Sequence, residues 1–224
     1  MSARDEILAN VRASLGVTGA EAPRRAAIEE RLARAPAGII PTRGQGDAAF
    51  RAATFKAEAE RAQASVVEID RAEDVPAEIA RFLREANLPA ALRMGEDARL
   101  AAMPWSETAL EIAHGPSDGH DLAGISAAFA GIAESGTLAL CSGPENPTTI
   151  NFLPDNHIAV VFARDIVGDY ESVWRKLRER YGEGAMPRTL NLITGPSRSA
   201  DIEQTLLLGA HGPRRLHIVM VKEG

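Results

Sequence analysis

Side chains suited to binding an anion lie in the segment Ser197-Arg198-Ser199, which begins two residues after Gly195. Two hydroxyls and a guanidinium can hold a carboxylate or a phosphate, the guanidinium through paired N–H donors. Asp201 follows closely, and in the first turn of a helix it would complement the helix dipole and repel an anion. Two alternatives therefore stay open: an anion site that includes these residues, or a capped helix beside a solvated Arg198.

Two histidines are candidates for proton transfer or ligand contact. His211 precedes Gly212, and a glycine lets the backbone come close to a bound molecule. His157 follows Asn156, the last residue of a Pro-Asp-Asn turn. Asn156 can bond the local backbone, as turn residues commonly do, or face the pocket. Of the two histidines, His211 is the one we expect to act as an acid or base.

A metal site is an alternative role for the same histidines. His157 and His211, with a carboxylate from Glu134 or Asp201, would form the two-His, one-carboxylate set that suits non-haem iron. The sequence contains no closely spaced histidine pair of the kind that marks metal sites on a single helix. We therefore expect hydrogen-bonded histidines, and we predict no metal held by this chain.

The stretch Glu134-Ser135-Gly136-Thr137 places a carboxylate at the start of an apolar run. A lone carboxylate in such a place is unfavourable unless it is paired or lies in a cleft. Glu134 could act there as a nucleophile or a general base. The alternative is structural, with Glu134 accepting backbone N–H groups of the Ser135-Gly136 turn or pairing with an arginine. In either case we expect this stretch to line the cleft.

The elements that position these residues follow from the spacing of apolar residues. The run at 190–193, closed by Gly195 and Pro196, predicts a buried strand. Helical spacing then predicts a helix with Ser199 as its N-cap. The apolar face of that helix would be Ile202, Thr205, Leu206 and Gly209. Because α/β proteins hold ligands where the carboxyl end of a strand leads into a helix, we expect the site in this loop.

Strands and helices alternate over most of the chain. Short apolar runs predict strands at 66–69, 90–94, 110–113, 122–126, 137–140, 158–162, 190–193 and 216–221; helical spacing predicts helices at 2–15, 26–34, 47–63, 75–86, 97–102 and 170–181. This alternation predicts an α/β fold, a mostly parallel sheet flanked by helices. Residues 1–47 are predicted to be a partly flexible helical arm or linker, and residues 48–224 the α/β domain.

Composition excludes several classes of protein. The 224 residues are 45% hydrophobic and 25% charged, as in ordinary globular chains. A net charge of −6 argues against nucleic acid or an anionic membrane as the partner. Without a long apolar run or a signal-peptide core, we expect no membrane insertion and a cytoplasmic location. Cys141 is the single cysteine, which excludes an intramolecular disulfide and an iron–sulfur cluster held by this chain's own cysteines.

Four short motifs in series carry a resemblance to a known family. They are Ile132-Ala133-Glu134-Ser135-Gly136-Thr137-Leu138, Phe152-Leu153-Pro154-Asp155-Asn156-His157-Ile158, the segment from Thr194 to Glu203, and Gly209-Ala210-His211-Gly212-Pro213. In this order they closely resemble the lactate utilization protein C family, the LUD-domain proteins, firmly over residues 121–221 and loosely before. Such proteins commonly carry Glu-Thr-Gly and Ser-Arg-Thr where this chain has Glu-Ser-Gly and Ser-Arg-Ser.

The resemblance implies a fold like that of the sugar-phosphate isomerase and coenzyme A transferase superfamily. It also implies a non-redox subunit of bacterial L-lactate oxidation to pyruvate, one that binds a small anionic ligand. Iron–sulfur clusters would then reside on partner proteins, and this chain alone would hold no cofactor. Two alternatives stay open. One is a stand-alone enzyme that uses Glu134 and His211, either a coenzyme A or acyl transferase or a sugar-phosphate isomerase. The Glu-Ser-Gly stretch is similar to a loop of coenzyme A transferases whose Glu attacks an acyl thioester. The other is a non-catalytic ligand-sensing scaffold.

Overall fold

The computed structural model describes residues 2–202 and 205–223, with the side chains of residues 200–207 outside that description. The chain divides into two compact units, Met1–Ile39 and Ile40–Gly224. In the first unit, α1 (Ala3–Leu15) and α2 (Ala22–Arg34) confirm the two predicted helices. Ser2 is the N-cap of α1 and forms a capping box with Asp5, in which each side chain accepts the backbone N–H of the other residue. The predicted domain boundary after residue 47 stays a prediction.

The second unit alternates helices with strands, which confirms the predicted α/β class. Its helices are α3 (Ala48–Arg61), α4 (Val75–Glu85), α5 (Ala98–Ala101), α6 (Thr148–Phe152) and α7 (Tyr170–Tyr181). Its strands are β1 (Ser65–Ile69), β2 (Ala91–Met94), β3 (Glu111–His114), β4 (Ala123–Ala127), β5 (Ala130–Ile132), β6 (Thr137–Cys141), β7 (Asn156–Phe162), β8 (Ile166–Val167), β9 (Leu190–Ile193), β10 (Arg198–Ile202), β11 (Thr205–Leu208) and β12 (Arg215–Val221).

Six strands form a wholly parallel sheet in the order β1-β12-β7-β4-β2-β3. Helices α4 and α5 cover one face, burying Ile79, Leu83 and Leu100 against Ile125 and Val160 of the central strands. Fully burying a side chain of this size stabilises the fold by about 1.5–3 kcal/mol relative to leaving it exposed. The central strands are covered on both faces, which explains why β7 is buried along its whole length.

A second sheet of four strands, in the order β8-β5-β6-β9, lies over the opposite face of the first. Leu138 and Leu140 of β6 join Phe55 of α3 in one apolar cluster with Ala159 and Val161 of β7. Helix α7 packs on this sheet in a separate cluster. The sequence predicted one sheet, but the described residues form three. The four-stranded sheet is separate because β5 turns back and pairs antiparallel with β6, which pairs antiparallel with β9, and β10 pairs only with β11.

The predicted helix after Ser199 is wrong. Strands β10 and β11 run antiparallel, with Arg198 opposite Leu208 and Ser199 opposite Leu207. Ser199 is therefore a strand residue and not the N-cap of a helix. Ile, Thr and Leu suit a pleated surface as well as a helical one, so their spacing in a short segment does not decide between the two.

Candidate functional site

A pocket of about 260 Å³ opens where the two sheets meet. Its lining comes from the amino ends of β7 and β12, the carboxyl end of β9, helix α6, and the loops that precede β10 and β12. Six residues predicted for the site line it: His157, Gly195, Ser197, Arg198, His211 and Gly212. Residues far apart in sequence are thus brought to one cavity, and their roles in binding or catalysis stay predictions.

The pocket differs in position from the site expected at the carboxyl ends of the parallel strands. His157 is the second residue of β7, and Leu216 is the second of β12. Among the described lining residues, those at the carboxyl end of a strand are Leu192 and Ile193 of β9, in the four-stranded sheet. The rule that ligands bind at the carboxyl ends of parallel strands therefore identified the loop after β9. It did not predict that the pocket lies at the amino ends of the strands of the six-stranded sheet.

Ser197 joins the two loops that form the mouth of the pocket. Its backbone N–H donates to the carbonyl of Pro213 at 2.9 Å, and its own carbonyl accepts the N–H of Gly209 at 2.9 Å. Its hydroxyl accepts the backbone N–H of His211 at 3.2 Å. The hydroxyl keeps its own hydrogen for another acceptor. Ser197 thus holds His211 beside the pocket while retaining one donor for a ligand.

Gly195 lets the loop after β9 pass against the end of α3. Its φ of +69° is in the left-handed region, and a Cβ at this position would lie 2.0 Å from the backbone oxygen of Ala62. No side chain fits that gap, because the contact is with backbone rather than with a flexible side chain. The glycine predicted for ligand binding is therefore needed for the path of the loop.

The charge of the lining favours an anion. Arg198 is exposed, and neither an Asp nor a Glu is among the lining residues that the structure describes. Apolar side chains, among them Phe152, Leu192 and Leu216, complete the wall. A guanidinium beside a partly apolar wall holds a carboxylate more strongly than it would in open water.

Two lining residues, Asn151 and His157, form a buried polar trio with Ser126, which is not among the described lining residues. Ser126 of β4 donates its hydroxyl hydrogen to Asn151 Oδ1 at 2.9 Å, and its oxygen lies 2.6 Å from His157 Nε2. All three residues are at most 2% exposed. Gly124 is the register partner of His157 on β4, and α6 packs closely there: a Cβ at Gly124 would lie 2.8 Å from Ile150 Cγ2. Neither Ser126 nor Asn151 is predicted from the sequence, where the available sign is a polar residue inside an apolar strand.

Burial keeps the His157 ring neutral. Desolvation lowers the pKa of His157 from 6.5 to about 4, because the charged imidazolium loses its hydration inside the protein. The proton on the neutral ring can be located from the hydrogen bonds. With the hydroxyl hydrogen of Ser126 directed to Asn151 Oδ1, the geometry fits the His157 tautomer that donates from Nε2.

Glu134 does not line the pocket. It is 3% exposed, and its Oε1 accepts the backbone N–H of Tyr170, the first residue of α7, at 3.2 Å. A carboxylate at the amino end of a helix is stabilised by the helix dipole. Glu134 is thus structural in this contact, but its partner is the N–H of Tyr170 and not the Ser135-Gly136 turn, and the expectation that it lines the cleft is wrong for this pocket. Its predicted catalytic role stays a prediction.

Ser135 and Thr137 belong to a cluster of hydroxyls behind the pocket. Thr137 Oγ1 lies 2.8 Å from Ser135 Oγ, 3.0 Å from Tyr170 Oη and 2.6 Å from Thr194 Oγ1. Gly136 packs against α3, where a Cβ would lie 2.2 Å from the backbone nitrogen of Ala59. These residues reach the pocket indirectly, because Thr194 directly precedes the lining residue Gly195.

Two further predicted residues, Asn156 and Ser199, are not among the described residues that line the pocket. Asn156 donates from Nδ2 to the carbonyl of Leu122 at 2.8 Å and accepts from Arg215 Nη1 at 3.3 Å, which ties β7 to its neighbours. Ser199 lies in β10. The side chain of Asp201 is outside the described residues.

Among the described side chains, no group of three or more His, Cys, Asp or Glu residues is arranged to hold a metal ion. Within the same ranges, none of the helices combines the length and apolar character that a membrane span requires.

Comparison with known proteins places the chain in a family. The LUD domain model matches residues 120–221. An uncharacterized protein of Neisseria meningitidis is 40% identical over 99 residues, covering 44% of this chain and 42% of that protein. Lactate utilization protein C of Geobacillus thermodenitrificans is 39% identical over 109 residues, covering 47% of this chain and 45% of that protein. The matched segment thus spans less than half the length of either relative.

Two longer matches extend the similarity. The crystal structure of a DUF162 family protein from Deinococcus radiodurans superposes with a TM-score of 0.58 at 21% identity, covering 79% of this chain and 99% of that one, which shows a shared fold. Lactate utilization protein C of an Exiguobacterium species is 32% identical over 181 residues, covering 76% of this chain and 77% of that protein. The chain therefore belongs to the lactate utilization protein C family of LUD-domain proteins.

Proposed function

We propose that this chain is a non-redox subunit of an L-lactate utilization system and that its pocket binds a small carboxylate. The observation that carries the binding proposal is the lining itself, which combines Arg198, Ser197 and two histidines with no described carboxylate. A volume of about 260 Å³ lies below the roughly 300–1,000 Å³ of pockets for drug-sized ligands, which favours a small metabolite.

Electron transfer would take place on other subunits. The chain has one cysteine, Cys141, whereas a cluster of the common type needs four thiolates. The names of the relatives support a role in lactate utilization. Partners that carry iron–sulfur clusters, and oxidation of L-lactate to pyruvate, are what the family resemblance implies. In this proposal the chain supplies a binding site and a docking surface, and contributes no redox centre.

Deletion and complementation test the physiological part of the proposal. The chromosomal copy is deleted, and growth on L-lactate is measured with wild-type protein, Arg198→Ala or Arg214→Ala supplied. Arg214→Ala is a matched control because it removes the same charge close to the mouth of the pocket. Arg214 itself pairs with Asp155 at 3.7 Å and is not among the lining residues. We expect growth with Arg214→Ala and little or none with Arg198→Ala.

Co-purification tests the subunit role. Tagged protein is expressed together with its neighbouring genes, and the retained proteins are assayed for iron and sulfide. Retention of a cluster-bearing partner supports the proposal. Normal growth on lactate after deletion, or capture without any iron–sulfur protein, would contradict it.

A further inference from the structure

Helix α1 presents an exposed apolar face. All 13 of its residues are exposed, and four large apolar ones on this face are 38–62% exposed: Ile7, Leu8, Val11 and Leu15. A helix of this length is marginally stable in water unless one face packs against another element. Ser2 and Gly16 cap its two ends, so the sequence specifies where α1 begins and ends. The apolar face is thus available to a partner.

The charges beside this face have a regular arrangement. With about 3.6 residues per turn, the four apolar side chains fall within an arc of roughly 100°. Asp5 and Arg12 both lie along one edge of the arc, two helical turns apart, and both are exposed. Ser14, at the other edge, is uncharged. One edge of the face therefore carries a negative charge near its start and a positive charge near its end.

This arrangement is complementary to itself. When two identical helices pack antiparallel about a two-fold axis, the same edge of each helix meets in the contact. With the axis near the middle of α1, Asp5 lies beside Arg12 of the second copy and Leu8 lies beside Val11 of the second copy, and each pair occurs twice. A parallel pair would place the charged edge against the edge that contains Ser14, where no opposite charge is available.

We propose that α1 pairs antiparallel with α1 of a second copy of this chain and so forms a two-fold dimer contact. The charge of the segment is compatible with self-association, because residues 1–39 contain six arginines and five carboxylates, a net charge of +1. The rest of the chain has a net charge of −7, so two copies repel one another elsewhere. A helix of 13 residues is about 20 Å long, so the contact is short and the dimer should dissociate on dilution.

Sedimentation equilibrium of the full chain over a concentration series tests the proposal. Wild type should show a concentration-dependent monomer–dimer equilibrium. Val11→Lys places a charge in the centre of the contact, twice by symmetry, and should raise the dimer dissociation constant at least about 10-fold. Leu32→Lys is the matched control, since Leu32 is 77% exposed on α2, outside the contact, and this variant should stay within about 2-fold of wild type.

A charge reversal tests the ion pairs separately from the apolar face. Arg12→Glu places like charges together at both symmetric sites and should weaken the dimer by roughly 5- to 10-fold. Arg34→Glu is the control, because Arg34 also lies in the last turn of a 13-residue helix and so has the same relation to the helix dipole. Asp5 is left unchanged because it belongs to the capping box of α1. The difference between the two variants should diminish in about 0.5 M salt.

Disulfide trapping measures the direction of the pair. In a Cys141→Ser background, which removes the single cysteine, Leu8→Cys and Val11→Cys proteins are oxidised alone and as a mixture. The antiparallel pair should give mainly the mixed disulfide, because only residues that face each other come close enough to bond. A chain that is monomeric at every concentration, equal effects of Val11→Lys and Leu32→Lys, or disulfides formed mainly within each protein alone would overturn the proposal. So would a monomeric chain that loses a co-purified protein in Val11→Lys, since the face would then belong to that protein.

Discussion

Thr137 and Thr194 share a hydrogen bond of 2.6 Å that joins the Glu-Ser-Gly-Thr stretch to the loop that forms the pocket. Thr137 is fully buried in β6, whereas Thr194 directly follows β9 and precedes Gly195. This contact gives Thr137 a physical role without ligand contact, because it fixes where the loop leaves the small sheet.

Replacing Thr137 by Val should destabilise the protein by about 1–3 kcal/mol, because the hydroxyls of Tyr170, Thr194 and Ser135 lose a common partner that is itself fully buried. Urea unfolding measures the change. Thr137→Ser is the matched control, since it keeps the hydroxyl and loses only a methyl group, at a cost of about 1 kcal/mol. If the Ser variant is no more stable than the Val variant, the hydrogen bonds of Thr137 do not account for the loss of stability.

Gly195→Ala should both destabilise the fold and weaken ligand binding. The φ of +69° alone makes Ala less favourable by roughly 1–2 kcal/mol, and the clash with the Ala62 carbonyl displaces the loop further. Gly184→Ala separates the two effects, because Gly184 has a similar φ of +74° but no atom within 4 Å of the added Cβ. Thermal melts of both variants should show the larger loss for Gly195→Ala. Equal losses would mean that the contact with α3 is not important.

Stability should fall between pH 6.5 and pH 4 as His157 takes up a proton on unfolding. The folded-state pKa of about 4 is lower than the ordinary value of 6.5, so the unfolded chain binds more protons in this window and stability rises with pH. The full contribution is roughly 3 kcal/mol, present above pH 6.5 and lost by pH 4.

Urea unfolding at several pH values measures this slope in wild type, in His157→Gln and in His120→Gln. The side chain of His120 is 91% exposed and provides the control. His157→Gln should have a flatter profile than the other two proteins. Three parallel profiles would show that His157 is not the group responsible.

Glu134→Gln distinguishes the structural role of this residue from the catalytic one. The Gln oxygen can still accept the N–H of Tyr170, but the loss of charge at the amino end of α7 should reduce stability by roughly 1 kcal/mol. Carboxylate binding to the pocket should stay within about 2-fold of wild type, since Glu134 lies outside the lining.

Glu179→Gln, with the same charge change on the exposed part of α7, should leave stability nearly unchanged. A 10-fold loss of binding in Glu134→Gln alone would instead place Glu134 in the functional site.

Much of the fold could be predicted from the spacing of apolar residues. Strand β9 and helix α7 have the bounds that the sequence predicted, because each begins and ends at a clear change of composition. Strands β5 and β8 were missed, since three and two residues are too few to show a period. Without β5, the reversal that makes the second sheet could not be foreseen.

The site was predicted only in part, again because local sequence patterns do not encode contacts between distant segments. His157, Arg198 and His211 stand out by residue type, and the fold does gather them. Asn151 and Ser126 do not stand out, since their importance depends on contacts between β4, α6 and β7 that no local pattern encodes. The separation of Glu134 from the pocket likewise follows from where α7 begins, a relation across 36 residues.

The junction of the two sheets has a consequence for the lifetime of the protein. A compound bound there would contact β7 and β12 of the six-stranded sheet on one side and β9 of the four-stranded sheet on the other. It would therefore hold together two sheets that separate when the protein unfolds. Binding to the folded form alone raises its stability with ligand concentration. A cell supplied with the ligand would keep this protein, and a cell deprived of it would lose the protein to proteases sooner.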